Sequence, residues 1–371
     1  MKKVAYISGS RAEYYVMRRI LHSLNKRSDL TIIATCMHLN PLFGSTIKEI
    51  VGDGFNIKKV DMLLNDDSLG GMVKSFGRGV SGISKVIEKL MPDLILLEGD
   101  RGESLAGAIV GAHFNIPIVH HGGGDVGGSI DNKIRYAITA FSDYHLVGNS
   151  DSYNRLVHKG IPSESVFEVG EPGLDDIYAG DFTPKDAIAK KFDLDPAKPL
   201  ILLVQHPNTE EYEQAGKQIV ETLDAIEEMG LRTVAIYSNS DAGGRKINET
   251  LEKYKDRLPF LSVYPNVKRR DFLGLMNYCE VMMGNSSAGI IELPSFMKPY
   301  VCIGTREKAR LRAGNTIDVG YNKEEIVAGI KKALYDKEFK EQLKRIKTPY
   351  GDGRASERVV QIVFKILRGD L

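Results

Sequence analysis

Between Leu97 and Asp131 the chain reads LEGDRGESLAGAIVGAHFNIPIVHHGGGDVGGSID, which gathers Asp100, Arg101, Glu103, His120, His121, Asp125 and Asp131. Carboxylates interleaved with histidine and arginine are the residue types of general acid–base chemistry. Apolar runs at Leu94–Leu97 and Ile116–Val119 lead into these polar, glycine-rich loops, with an alanine- and glycine-rich helix between them. Open α/β sheets bind ligands at the carboxyl ends of their strands, where such loops fall. A core has no use for this density of charge, since each ionisable group buried unpaired costs several kcal/mol, roughly. The segment reads as half of an active site.

Further loops of the same kind occur along the chain. SGSRAEYY (8–15) follows a first strand and opens a helix, so its free N–H groups and Arg11 suit an anion. The plainer reading is a tight strand-to-helix turn with a solvent-facing arginine. His38 in CMHLNPLFGSTIKEI (36–50) and His206 in QHPNTEEYE (205–213) each follow a strand, and Thr209 is placed to cap the helix after His206. GNSSAGIIELPSF (284–296) sets Ser286 and Ser287 in a loop that suits a phosphate at a helix start, with Glu292 placed for ribose hydroxyls. GTREKARLR (304–312) supplies Arg306 and Arg310, suited to a diphosphate, although a basic surface loop has the same look. IYSNSDAGG (236–244) and PYGDGRASE (349–357) are weaker candidates; the latter suits a turn into the last helix, with Ser356 and Glu357 in its first turn. No GxGxxG fingerprint or Walker loop is present, so neither a dinucleotide site nor ATP hydrolysis is supported.

The elements that position these loops alternate. Strands are expected at Val4–Ser8, Leu30–Thr35, Leu94–Leu97, Ile116–His120, His145–Val147 and Val166–Val169. A second series begins with LILLVQHP and continues at Arg232–Tyr237, Leu261–Val263, Glu280–Met283 and Pro299–Ile303. Near-continuous apolar strands suit a parallel sheet covered on both faces. The Pro-, Asp- and Gly-rich stretch 171–198 reads as a linker. The expected fold is α/β of the GT-B class, two Rossmann-like domains with a central cleft. Its parts are a sugar-side domain over 1–172, a nucleotide-binding domain over 173–350, and a C-terminal helix over 351–371 that crosses back.

Length and composition agree. A chain of 371 residues exceeds the roughly 250–300 that one core supports. With 50 basic and 49 acidic residues it carries a formal charge of +1, which argues against a nucleic-acid or membrane footprint. Cys36, Cys279 and Cys302 show no paired spacing, so neither a disulfide framework nor a structural zinc is expected. The apolar run after the N-terminus spans about five residues, too short for a signal sequence. No run nears the ~20 residues of a membrane span, and a cytoplasmic location is expected.

Together GSRAEY, MHLNPLFG, EGDRGESLA, GGSIDNKIRYAITAFSDYHLV, QHP, SNSDAGG, GNSSAGIIE, GTREKARLRAGN and YGDG resemble the UDP-N-acetylglucosamine 2-epimerase family. The likeness runs along nearly the whole chain and is greater for the hydrolysing branch. It implies a GT-B fold, a homodimer or homotetramer, and a reaction on a UDP-linked amino sugar with no cofactor and no metal. By position, Asp100 and Asp131 match acidic residues of the family's sugar site, and Arg11 its first-loop arginine. His206 matches the histidine associated with the diphosphate, while Ser286, Ser287, Glu292 and Arg306 match the nucleotide side. Arg101, His38, His121 and Arg310 are further binding candidates. One departure stands out. The loop that the family writes HIEGGE or HVEAG reads HHGGGD here, so Gly122 replaces a catalytic glutamate and Asp125 a later one. His121, Glu103 or Asp125 is left to substitute, or the sugar differs.

The chemistry that the resemblance implies is elimination and then hydration. The C2 proton leaves as the C1–O bond to UDP breaks, and water adds to the glycal, giving N-acetylmannosamine and UDP from UDP-N-acetylglucosamine for sialic or nonulosonic acid synthesis. A UDP-2,4-diacetamido-trideoxyhexose is an alternative substrate. A GT-B glycosyltransferase and a non-catalytic nucleotide-sugar binder are the competing classes, because a fold does not fix a function.

Overall fold

The structure, a computed structural model, describes residues 1–371 apart from 65, 67, 128 and 129. Two residues of the GGSID stretch thus lie outside the described residues. Contacts divide the chain into two compact units, the first made of Met1–Asp125, Ile130–Asp175 and Tyr350–Leu371, the second built on Asp176–Pro349.

Seven strands form the first sheet: β1 (Lys3–Ser8), β2 (Asp29–Thr35), β3 (Asn56–Val60), β4 (Leu94–Glu98), β5 (Ile118–His121), β6 (Tyr144–Val147) and β7 (Val166–Glu168). They are parallel, in the order β3-β2-β1-β4-β5-β6-β7. Strand order therefore reverses between β1 and β4, which makes their carboxyl ends the topological switch point. Alternate side chains face two separate cores. Leu94, Leu96 and Val119 pack with Tyr14 and Met17 of the helix Arg11–Asn25 and with Val359 and Val363 of the last helix, Ala355–Arg368. Ile95, Leu97 and Ile118 pack on the other face with Ile83 and Ile138.

The last helix thus returns to the first unit. Asp175 caps it, accepting from Ala355 N–H at 3.0 Å and Ser356 N–H at 2.7 Å. The stretch 171–198 that reads as a linker holds two helices, Gly173–Tyr178 and Lys185–Phe192, and the units change over between Asp175 and Asp176.

The second sheet repeats the plan with β8 (Leu200–Val204), β9 (Arg232–Ile236), β10 (Leu261–Tyr264), β11 (Val281–Gly284), β12 (Tyr300–Ile303) and β13 (Thr316–Val319). Its order, β10-β9-β8-β11-β12-β13, reverses between β8 and β11. Two edge strands, β3 (NIKKV) and β13 (TIDV), escape the sequence pattern because lysines or an aspartate interrupt their apolar residues. Among the described residues no helix is long and apolar enough to cross a membrane.

Candidate active site

In the first unit the switch point is built around two loops. After β1, Ser10 caps the first helix and Glu13 answers it, its Oε2 accepting from Gly9 N–H at 2.9 Å and Ser10 N–H at 2.8 Å. Glu103 lies so close over this turn that a Cβ on Gly9 would sit 1.8 Å from its Oε1, so only glycine fits. Burial, then the Glu103 carboxylate, raises Glu13 to about 8. Arg101 donates to Glu103 Oε1 at 3.0 Å, and Glu103 is buried. Arg11 follows, half-buried, as the first residue of the helix.

His38, a binding candidate in the sequence, is placed inside the fold. It is fully buried, its Nε2 lies 3.0 Å from Ser8 Oγ and its Nδ1 2.7 Å from Thr46 Oγ1. Burial lowers it to about 4, so it is a neutral prop that ties the loop after β2 to the end of β1. His120 is likewise internal, donating from Nε2 to Gly99 O at 2.7 Å and lowered by burial to about 3.

Carboxylates of the loops after β4 and β5 converge on Arg135, a buried residue of the helix Ile130–Phe141. Its Nη2 donates to Asp100 Oδ2, its Nη1 donates to Gly122 O at 2.7 Å, and Asp125 Oδ2 lies 3.8 Å from Nη1. Asp131 stands in the first turn of that helix, four residues before Arg135 and so on the same face. Asp125 is buried and accepts from Ser152 Oγ at 2.6 Å. It braces the loop and is enclosed, unlike Asp100, whose side chain is 23% exposed.

His121 is also fully enclosed. Nδ1 lies 2.6 Å from Glu98 Oε2 and Nε2 lies 3.2 Å from Gly170 O. Burial would lower its pKa, but the Glu98 and Glu171 carboxylates outweigh that and raise it to about 10. It is an imidazolium donating from both nitrogens.

In the second unit His206 follows β8 and is clamped by Asn285, just past β11. The Asn285 side chain accepts from His206 N–H at 2.7 Å and donates to His206 O at 2.8 Å, extending the ladder past the strand ends. Asn239 N–H donates to His206 Nδ1 at 3.2 Å, which leaves the proton of the neutral ring on Nε2. Asn208, rather than Thr209, caps the following turn, accepting from Glu210 N–H at 3.1 Å.

Ser286 and Ser287 are half-buried ahead of a single helical turn, Ala288–Ile291, shorter than the helix that GNSS predicts. Pro294 opens a tighter 3₁₀ turn there. Glu292 is buried against Arg269, which also lies 3.5 Å from Asp176. Arg306 donates to Asn285 O at 3.1 Å and to Glu307 at 2.8 Å, and Arg310 Nε lies 2.7 Å from the other oxygen of that buried carboxylate. Glu307 therefore aims both arginines. Arg135 and Asn285 carry no signal in sequence beyond lying inside the motifs, and Arg269 lies outside them, because their partners are distant along the chain; Glu307 lies between its two arginines but looks like any charge of a basic loop.

Two Rossmann-like units of this strand order, each with polar and charged loops at its switch point, define an α/β protein of the GT-B class. Against the solved UDP-GlcNAc 2-epimerase of Neisseria meningitidis bound to UDP-GlcNAc the fold gives a TM-score of 0.81 at 19% identity, covering 98% of this chain and 100% of that one. The family profile for UDP-N-acetylglucosamine 2-epimerase matches residues 22–364. The chain is 36% identical over 369 residues to the UDP-N,N'-diacetylbacillosamine 2-epimerase (hydrolyzing) of Legionella pneumophila, covering 99% of this chain and 96% of that protein. It is 34% identical over 347 residues to the GDP/UDP-N,N'-diacetylbacillosamine 2-epimerase (hydrolyzing) of Campylobacter jejuni, covering 92% and 89% respectively. The chain belongs to the UDP-N-acetylglucosamine 2-epimerase family.

Proposed function

We propose that the protein is a hydrolysing 2-epimerase whose substrate is a UDP-linked 2,4-diacetamido-trideoxyhexose. The observation that carries this is the set of carboxylates around Arg135, at the switch point of a chain whose similar relatives are hydrolysing 2-epimerases of a diacetamido sugar. Acid–base groups at the ends of β4 and β5 suit proton transfer at C2, and Asp100 and Asp131 are the residues assigned to it. The second unit supplies the complementary chemistry. His206 with its proton on Nε2, Arg306 and Arg310 held by Glu307, and the Ser286–Ser287 loop suit a departing diphosphate. Glu292, fixed by Arg269, is assigned to the ribose. Uncharged His38 is assigned to scaffolding.

The test is proton NMR in D₂O with the UDP-diacetamido sugar and, separately, UDP-N-acetylglucosamine. Expected is release of UDP and a free 2-epimerised diacetamido sugar carrying deuterium at C2, faster than N-acetylmannosamine forms from the second substrate. The reverse preference would return the substrate to UDP-N-acetylglucosamine. UDP binding with no turnover on either would remove the enzymatic assignment. Ser287→Ala and Arg306→Ala should each weaken UDP binding measured by calorimetry; unchanged affinity in both places the nucleotide elsewhere.

A further inference from the structure

Inverting C2 requires a proton to leave from one side of the sugar and another to arrive on the opposite side. The groups gathered by Arg135 all come from one side of the first sheet. Their helix, Ile130–Phe141, packs through Ile138 on the face that carries Ile95, Leu97 and Ile118. Glu98 belongs to the other face. Strand alternation puts it in line with Leu94 and Leu96, beside the helix Arg11–Asn25, and its register partner across β4–β5 is His121. Between Glu98 and Asp100 stands Gly99 with φ +73°, a left-handed turn that sends the two carboxylates apart, one to His121 and the other to Arg135.

Apart from Asp100 and Asp131 on the Arg135 side, the other described carboxylates at these loops are enclosed. Glu103 is buried over Gly9 beside Arg101, Asp125 is buried against Ser152, and Glu13 is bound into the first turn. His121 has both ring nitrogens engaged and is no base. Gly122, beside it, contributes no side chain. The Glu98 side chain, in contrast, remains 13% exposed at the switch point while its His121 partner is fully covered.

Resting on the hydrolysing-epimerase assignment, we propose that Glu98 is a further catalytic carboxylate, the base that removes the C2 proton, and that His121 is its positioning residue. The proton passes from C2 to a Glu98 oxygen as the C2–H electron pair forms the C1=C2 bond. The C1–O bond breaks, and UDP departs with the two electrons of the C1–O bond. In the second step water oxygen bonds to C1, C2 takes a proton from the Arg135 side, for which Asp131 is the donor, and the water's spare proton passes to the Asp131 carboxylate. Glu98 then returns its proton to solvent, so one water is consumed and the enzyme is restored. The imidazolium of His121, braced on the Gly170 carbonyl with Glu171 nearby, keeps Glu98 aimed and matches its resting charge.

The two steps can be assayed apart. Glu98→Gln should slow UDP release from the nucleotide sugar by about 100-fold or more, the usual scale for losing a general base. The same variant, given UDP and the isolated product of the elimination step, the 1,2-unsaturated 2-acetamido glycal, should still hydrate it within a few-fold of wild type. Asp131→Asn should lose glycal hydration. Wild-type UDP release by Glu98→Gln, or equal loss of both steps, overturns the assignment; equal loss is what a merely structural role gives. If Glu98→Gln melts early, Glu98→Asp decides by the same pair of rates, because it keeps the charge and moves it by one methylene. His121→Gln should lower kcat for UDP release with KM little changed, and a rise in KM alone would refute its positioning role. A wild-type protein inert toward both UDP sugars would overturn the enzymatic assignment itself, which is a separate result.

Discussion

Arg135 shows how much one buried side chain holds. Its guanidinium neutralises Asp100, faces Asp125 and donates to the Gly122 carbonyl, all from a position 4% exposed. Breaking a buried pair by deleting one partner typically costs about 3–5 kcal/mol, because a charge is left uncompensated. Arg135→Met should therefore lower the urea midpoint of the first unit markedly. Arg135→Lys keeps the charge but lacks the two-pronged reach, so it should fold while losing most turnover. A fully active lysine variant would show that the forked geometry is dispensable. The histidines make a separate prediction about pH. His38 and His145 are lowered by burial to about 4 and His120 to about 3, so their support is present above the unfolded value near ~6.5 and is lost as pH falls. His121 is the reverse: raised to about 10 by Glu98 and Glu171 against burial, its support is full below ~6.5 and disappears as pH climbs through 10. Glu13, raised to about 8 by burial and Glu103, also loses its contribution on the alkaline side, but by about pH 8. Between about pH 8 and 10 the wild type should lose stability more steeply than His121→Gln. Parallel urea midpoints over that range would mean that His121 is not held as a cation.

At the scale of elements, the loops work because the strand ends approach one another closely. Gly284 ends β11 with φ +120°, and a Cβ there would lie 2.0 Å from Val204 O at the end of β8. Gly284→Ala should cost more than the about 1–3 kcal/mol of a strained residue alone, since backbone must move as well. Gly230, with φ +61° and nothing within 4 Å of its Cβ, is the control in the same unit. Gly230→Ala should cost about 1 kcal/mol and leave UDP binding intact, whereas Gly284→Ala should weaken binding by displacing Asn285 and His206. Equal melting of the two variants would refute the close-approach account. These same elements explain what was legible beforehand. Central strands such as LILLE and LILLV are buried on both faces, so their apolar runs are continuous and visible. The edge strands NIKKV and TIDV are not. Loop position followed from strand position, and the charged residues of the candidate site lie in those loops. Which of them face a ligand did not follow. His38 and His121 look alike in sequence, each a histidine at or just past a strand end. One is a neutral residue between two hydroxyls and the other a cation between two carboxylates, a difference set by Thr46, Glu98 and Glu171.

At the scale of the whole chain, the first unit is closed by its last residues rather than its first 175. Val359 and Val363 of the helix Ala355–Arg368 are fully buried among Tyr14, Met17, Leu21 and Leu96, and Val360 and Leu367 lie beside them. Burying each such side chain is worth about 1.5–3 kcal/mol, so together they are comparable with the entire stability of a typical domain, about 5–15 kcal/mol. Asp175 adds a capping contact that is lost with Ala355 and Ser356. The residues assigned to the nucleotide, Ser286, Ser287, Glu292, Arg306 and Arg310, lie within Asp176–Pro349 and take their described partners from it. Ending the chain after Pro349 should therefore separate the two units functionally. The first should become sensitive to limited proteolysis and lose its cooperative transition, and turnover should vanish. The second should keep a protease-resistant core of about its full span and still bind UDP, within the few-fold change that a lost neighbour allows. Protection of residues 1–175 equal to that of the full chain would show that the helix is an accessory. Loss of UDP binding along with the first unit would show that the nucleotide groups need more than their own sheet to hold them.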